Sequence, residues 1–212
     1  MSYQYTAIGD SLTTGFGALP GNGFVPMYRR MAEARLRSSV VYTNLGVNGL
    51  TTAGLEQRLR GNMGYRRSLQ EADLITLSIG GNDLIQAAKA SVKQPGNSSR
   101  VLRTALQECQ GNFSEIMGLL WQLKMGSRNP YIIRIVGLYN PYPRFDEATD
   151  WVMQFNRYAS QYHSRDCGFA SIYNQFSGNE RELLSIDHIH PNKRGYNVIA
   201  EKLNHLGYGM LS

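Results

Sequence analysis

Five short apolar runs, at residues 3–8, 40–45, 74–79, 131–138 and 168–173, alternate with longer amphipathic stretches. Each run is near strand length and rich in Ile, Val, Leu, Tyr or Thr. Runs that are apolar almost throughout suit strands covered on both faces, and strands separated by helix-length segments pair in parallel. The pattern therefore predicts an α/β fold with helices on both faces of a parallel sheet, residues 1–212 forming one domain. Three stripes at helical spacing read as core faces: Val101, Leu102, Ala105, Leu106 and Cys109, continued past Gly111 by Phe113, Ile116, Met117, Leu120 and Leu123; Trp151, Val152, Phe155, Tyr158, Ala159 and Tyr162; Tyr196, Ile199, Ala200 and Leu203. Pro191-Asn192 signals the start of the last helix. The interval 84–130 fits a short helix followed by a long one, holds the most loop-like segment, Gln94-Pro95-Gly96-Asn97-Ser98-Ser99, and is the best candidate for a mobile cover.

Composition narrows the class. Apolar residues make up 42% and charged residues 18%, values of a soluble globular protein. No window approaches the roughly 18 to 20 apolar residues of a membrane span. The opening Met1-Ser2-Tyr3-Gln4-Tyr5 lacks a basic stretch leading into an apolar run, so no secretory signal is read and a cytoplasmic location is expected. Cys109 and Cys167 lack metal-ligand spacing and read as buried free thiols. The net charge of +6 favours anionic partners such as a phospholipid surface, as a long-range bias that salt screens. The basic residues are scattered, without zinc-finger or basic-zipper spacing, and no nucleic-acid partner is expected.

Ligands of open α/β sheets gather beyond the carboxyl ends of the strands. Just past four of the runs stand Gly9-Asp10-Ser11, Gly46-Val47-Asn48-Gly49, Gly80-Gly81-Asn82-Asp83 and Tyr139-Asn140-Pro141. Ser11, followed almost a whole chain later by Asp187 and His190, supplies the parts of a hydrolytic triad. Serine needs a base to become a good nucleophile; histidine serves near neutrality, and a carboxylate on its far nitrogen fixes the tautomer. Pro191 disfavours helical geometry at His190 and places it on an extended turn. Candidate oxyanion donors are the backbone N–H groups of Ser11 and Gly49 and the side-chain amide of Asn82. Leu12, Leu50, Ile85, Tyr139 and Ile189 flank this set and are candidates for an acyl pocket. Tyr139, with Tyr142 and the neighbouring prolines, reads equally as a rigid turn.

Each residue has a plainer alternative. Serine caps helices for ordinary reasons. Asp10 reads as a structural hydrogen-bonding residue and Asp83 as the anchor of its own turn. His188 would point away from His190 in an extended segment, which leaves it a minor contender for the base. His163 and His205 fall in predicted surface helices.

Gly9-Asp10-Ser11-Leu12, Asn44 through Gly49, Gly80-Gly81-Asn82-Asp83 and Asp187 through Pro191 resemble, in order, the four blocks of the SGNH, or GDSL, hydrolase family. The blocks span residues 9 to 191. The resemblance implies a flavodoxin-like three-layer α/β/α fold with about five parallel strands, and esterase or lipase activity without metal or other cofactor. It places the nucleophile at Ser11, oxyanion donors at Gly49 and Asn82, and the remaining triad members at Asp187 and His190. One departure is visible: where the family often has Gly-Asp-Thr, this chain has Gly49-Leu50-Thr51, without the polar group beside the glycine. The segments 1–7, 138–143 and 173–187 resemble a spore-associated branch of the family, which implies hydrolysis of phospholipid or other acyl esters and packaging in the spore coat.

Three other readings remain at this point. A carbohydrate acetyl esterase would use the same fold. A metal-dependent phosphoesterase could draw on Asp10, Asn82, Asp83, His188 and His190, although no histidine accompanies the first or third block. A non-catalytic nucleotide-binding module could use residues 9–17, which lack the Gly-Lys-Ser/Thr ending and Gly-x-Gly-x-x-Gly spacing.

Overall fold

The computed structural model describes residues 2–93, 95–127, 129–143 and 145–211. In chain order these form β1 (Ser2–Gly9), α1 (Ser11–Thr14), α2 (Phe24–Leu36), β2 (Ser39–Gly46), α3 (Thr52–Gly61), α4 (Met63–Glu71), β3 (Leu74–Ser78), α5 (Gly81–Val92), α6 (Ser98–Lys124), β4 (Ile132–Val136), α7 (Asp146–Ser160), β5 (Cys167–Ala170), α8 (Tyr173–Phe176), α9 (Glu180–Leu183) and α10 (Lys193–His205).

The five strands pair in parallel in the order β2-β1-β3-β4-β5. This flavodoxin-type order reverses its winding between β1 and β3, and the reversal opens a crevice at the carboxyl ends of those two strands. Side chains alternate across the sheet, as a pleated strand requires. Tyr5 and Ala7 of β1 enter the core formed with α2 and α10, whereas Ile8 enters the core formed with α3, α4, α6 and α7. The result is the expected three-layer α/β/α architecture.

All residues of β3 and β4 are buried, as their near-continuous apolar runs predict, and the burial extends to Thr76, Ser78 and Arg134. β2 differs. It is an edge strand in which Val40 alone is buried, while Val41 and Tyr42 are exposed. The fifth run is also shorter as a strand than expected: β5 ends at Ala170, Ile172 is the N-cap of α8, and Tyr173 opens that helix. A short buried apolar run looks alike in sequence whether it is a strand or leads into a helix.

The interval 84–130 is not a cover. From Leu106 to Leu123, α6 buries one apolar face and packs against α3, α4, α5 and α7, whereas Val101, Leu102 and Ala105 in its first turns are only partly buried. Gln94, in the loop-like segment, lies outside the described residues. His163 stands beyond the end of α7 rather than within a helix, and His205 is an exposed final residue of α10. Both cysteines are free and buried. Among the described residues no helix is long and apolar enough to cross a membrane.

Candidate active site

The first part of the site is made where β1 ends beside β3. Asp10, not Ser11, is the N-cap of α1: its Oδ1 accepts from Leu12 N–H at 3.0 Å. The same oxygen accepts from the Ser78 hydroxyl at the end of β3, at 2.9 Å, and Thr13 Oγ1 stands 2.7 Å from that hydroxyl. These contacts lock the first turn of α1 to the sheet. Ser11, the first helical residue, is itself buried, with its hydroxyl facing His190.

The second part is the loop after α9. Ser185 N–H donates to His190 carbonyl, Leu184 pairs with Pro191, and Asn192 caps α10 by accepting from Arg194 and Gly195 N–H. Asp187 Oδ1 accepts from the Ser185 hydroxyl at 2.7 Å and from Ile189 and His190 N–H at 3.0 Å each. This is a tight turn rather than an extended segment. His188 occupies its left-handed position with φ +57° and is exposed. The alternation of an extended chain therefore does not describe how His188 and His190 are separated.

Across the cleft the two parts meet. Ser11 Oγ and His190 Nε2 are 2.9 Å apart, and His190 Nδ1 and Asp187 Oδ2 are 2.6 Å apart. Several residues that carry no motif hold this geometry. Tyr139 hydroxyl donates to Ile189 carbonyl at 2.6 Å while its ring stacks on Phe176, so Tyr139 both lines the cavity and pins the loop. The Phe16 ring lies edge-on to the His190 imidazole, with centroids 4.7 Å apart. Gly17 leaves room for that approach: a Cβ there would stand 2.8 Å from His190 Cβ, and its φ is +93°. Ser78 was detectable only as a lone polar end to an apolar strand, and Phe16 had no signal at all.

Gly49 sits exposed on a turn with φ +76°. That turn is tied to α1, since Thr14 Oγ1 lies 2.6 Å from Asn48 Oδ1, and to α5, since Asn82 Nδ2 donates to Leu50 carbonyl at 2.9 Å. An amide nitrogen carries two N–H groups, so Asn82 keeps one for the cleft. Asp83 does not anchor its own turn alone: its carboxylate accepts from Thr52 N–H and hydroxyl, fastening α5 to α3. The cavity beside Ser11 is lined by Leu12, Asn82, Ile85, Tyr139, Ile189 and His190 among others. Leu50 does not line it. Thr51 caps α3, and Leu50 beside it turns into the core with Leu55 and Leu59.

The two carboxylates near the serine are tuned in opposite directions. Burial pushes the Asp10 carboxyl up to about 6, against hydrogen bonds from Ser78 and Leu12. Burial also opposes charge on Asp187, but there the His190 ring, the His190 and Ile189 N–H groups and the Ser185 hydroxyl outweigh it and hold the carboxyl well below the usual range. Among the described residues no three of His, Cys, Asp and Glu converge as a metal site.

The family model for GDSL-like lipases and acylhydrolases matches residues 7–198. The spore germination lipase LipC of Bacillus licheniformis is 37% identical over 213 residues, covering 100% of this chain and 99% of that protein. The crystal structure of the lipase Lip_vut3 from a goat rumen metagenome superposes with a TM-score of 0.92 at 36% identity, covering 99% of this chain and 100% of the other. The acetylxylan esterase Axe2 of Geobacillus stearothermophilus shares the fold, with a TM-score of 0.67 at 18% identity over 97% of this chain and 94% of its own.

Proposed function

The chain belongs to the GDSL-like lipase/acylhydrolase family and is a carboxylic ester hydrolase, and on that premise we propose that Ser11 is its nucleophile, within a single hydrolase domain over residues 1–212. His190 Nε2 takes the proton as Ser11 Oγ attacks the ester carbonyl, and returns it to the departing alcohol. Asp187 holds the proton on Nδ1 and stabilises the imidazolium. Ser11 N–H, Gly49 N–H and the free N–H of Asn82 receive the oxyanion. Water, activated by the same histidine, then releases the acid from the acyl-enzyme.

The observation that carries this reading is the unbroken relay from Ser11 Oγ to His190 at 2.9 Å and from His190 to Asp187 at 2.6 Å, opening on a cavity. The test is labelling with a fluorophosphonate followed by peptide mapping. The label is expected on Ser11, and Ser11→Ala is expected to lose the label and about 10⁵- to 10⁶-fold in kcat on p-nitrophenyl butyrate. A label elsewhere, or one undiminished in Ser11→Ala, would overturn the assignment.

The substrate reading extends to phospholipid esters at an anionic surface, supported by the net charge of +6. Spore association is proposed from the full-length similarity to a spore germination lipase. The acetyl-ester alternative has support from fold alone, since Axe2 is 18% identical. Faster fatty-acid release from phosphatidylglycerol vesicles than from phosphatidylcholine vesicles, with the difference lost at high salt, is the expected result.

A further inference from the structure

The cavity at Ser11 does not stop at the residues nearest the serine. A second cavity of about 470 Å³ shares Leu84, Ile85 and Tyr142 with it, and continues between α5, the first turns of α6 and the start of α7. Its walls include Ala88 on α5, Leu102 on α6 and Phe145 before α7. The serines in this wall are already engaged: Ser91 hydroxyl donates to Ala88 carbonyl and Ser98 hydroxyl to Ser91 carbonyl. The charged residues that border it, Lys89 and Glu147, are exposed. Nothing within asks for a polar ligand. Phe145 is meanwhile 62% exposed and Val92 77%, so apolar surface faces water beside the entrance.

The opposite side of α5 supplies a comparison. A third cavity there is lined by Asp83, Gln86, Arg100, Glu108 and Asn112, and it shares no lining residue with the cavity at Ser11. Of the two, only the apolar one is continuous with the reacting serine.

We propose that the second cavity is an acyl-chain groove: with its carbonyl at Ser11, the substrate passes Leu84, Ile85 and Tyr142 and lays its hydrocarbon tail between α5 and the α6–α7 wall. The enzyme then prefers esters of unbranched medium- or long-chain fatty acids over acetyl esters. This rests on Ser11 as the acyl acceptor. Each methylene drawn from water into such a groove is worth up to about 0.8 kcal/mol, or about four-fold in kcat/KM. The chain-length profile should climb through the lengths the groove accepts and flatten once it is full.

The test uses p-nitrophenyl esters from acetyl to hexadecanoyl on the intact chain, Ala88→Trp and Phe145→Asp, with Ser11→Ala alongside. Ala88 and Phe145 are both exposed, so the two changes reach the groove by independent routes and spare the core. Each is expected to lower the dodecanoyl-to-acetyl ratio of kcat/KM at least ten-fold. Calorimetry of dodecanoate binding to Ser11→Ala, and its weakening when Ala88→Trp is added, reads the groove without chemistry. A flat chain-length profile, or a ratio unchanged in both variants, overturns the groove and leaves Ser11 intact. Full ester hydrolysis by Ser11→Ala overturns the nucleophile instead.

Discussion

The corner where β1 meets β3 and the loop from Ser185 to Pro191 each bring one carboxylate to the Ser11–His190 pair, and the two carboxylates end in opposite states. Asp10 is buried with two donors on one oxygen, and its carboxyl is pushed up to about 6. Asp187 is partly exposed and faces four donors: Ser185 hydroxyl, Ile189 N–H, His190 N–H and the His190 ring. Its carboxyl is held down. What separates them is the balance between desolvation and the number of donors aimed at the charge. Asp187 is held ionised beside the imidazole that, in the proposed mechanism, becomes charged. Asp10 is built as an N-cap and a clamp to β3.

Three changes test this division. Asp187→Asn is expected to cost the most, about 10⁴-fold in kcat with KM nearly unchanged, because the imidazole loses both its fixed tautomer and its charge partner. A loss below ten-fold in steady-state assays would erase the contrast between the two regions. Next comes Asn82→Ala, which touches neither carboxylate but removes a proposed oxyanion donor. It should lower kcat by about 10²- to 10³-fold while thermal stability holds to within the cost of one hydrogen bond to Leu50.

The smallest effect is in stability. Because the folded carboxyl of Asp10 titrates near 6, above the ordinary value of 3.8, its contribution is fully present below about 3.8 and falls as pH rises through about 6. The total fall is on the order of 3 kcal/mol. Asp10→Asn keeps an acceptor for Leu12 N–H and removes the titration, so its Tm relative to the parent should be higher at pH 8 than at pH 4. Asp187 has the reverse sign: its stabilisation is present above the ordinary carboxyl value and is lost as pH falls through the depressed folded value. Parallel curves of Tm against pH for Asp10→Asn and the parent would show that burial of Asp10 is not the controlling feature.

Much of this was legible in the residues. The apolar runs marked the strands because a buried parallel strand has no solvent face to keep polar. Asp187 and His190 stand three residues apart, close enough for one loop to supply both, but the tight turn whose N–H groups close on Asp187 replaced the extended one expected. Leu50 was misplaced for a definite reason: adjacency to Gly49 says nothing of direction, and the cap at Thr51 sends the side chain into the core. The expectation of a cover at 84–130 failed because loop-like composition at Gln94–Ser99 does not reveal how far the following helix is buried.

By itself, then, the sequence determined what covalent geometry and local periodicity control: the alternation of strands and helices, the glycine turns at the strand ends and the local donors to Asp187. Only the tertiary structure decided which of these meet. Ser78 reaches Asp10 across 68 residues and His190 reaches Ser11 across 179 because the sheet order sets β1 beside β3 and packs α10 against α2. Strand order depends on burying both faces of the sheet at once, a condition on the whole chain that no short segment carries.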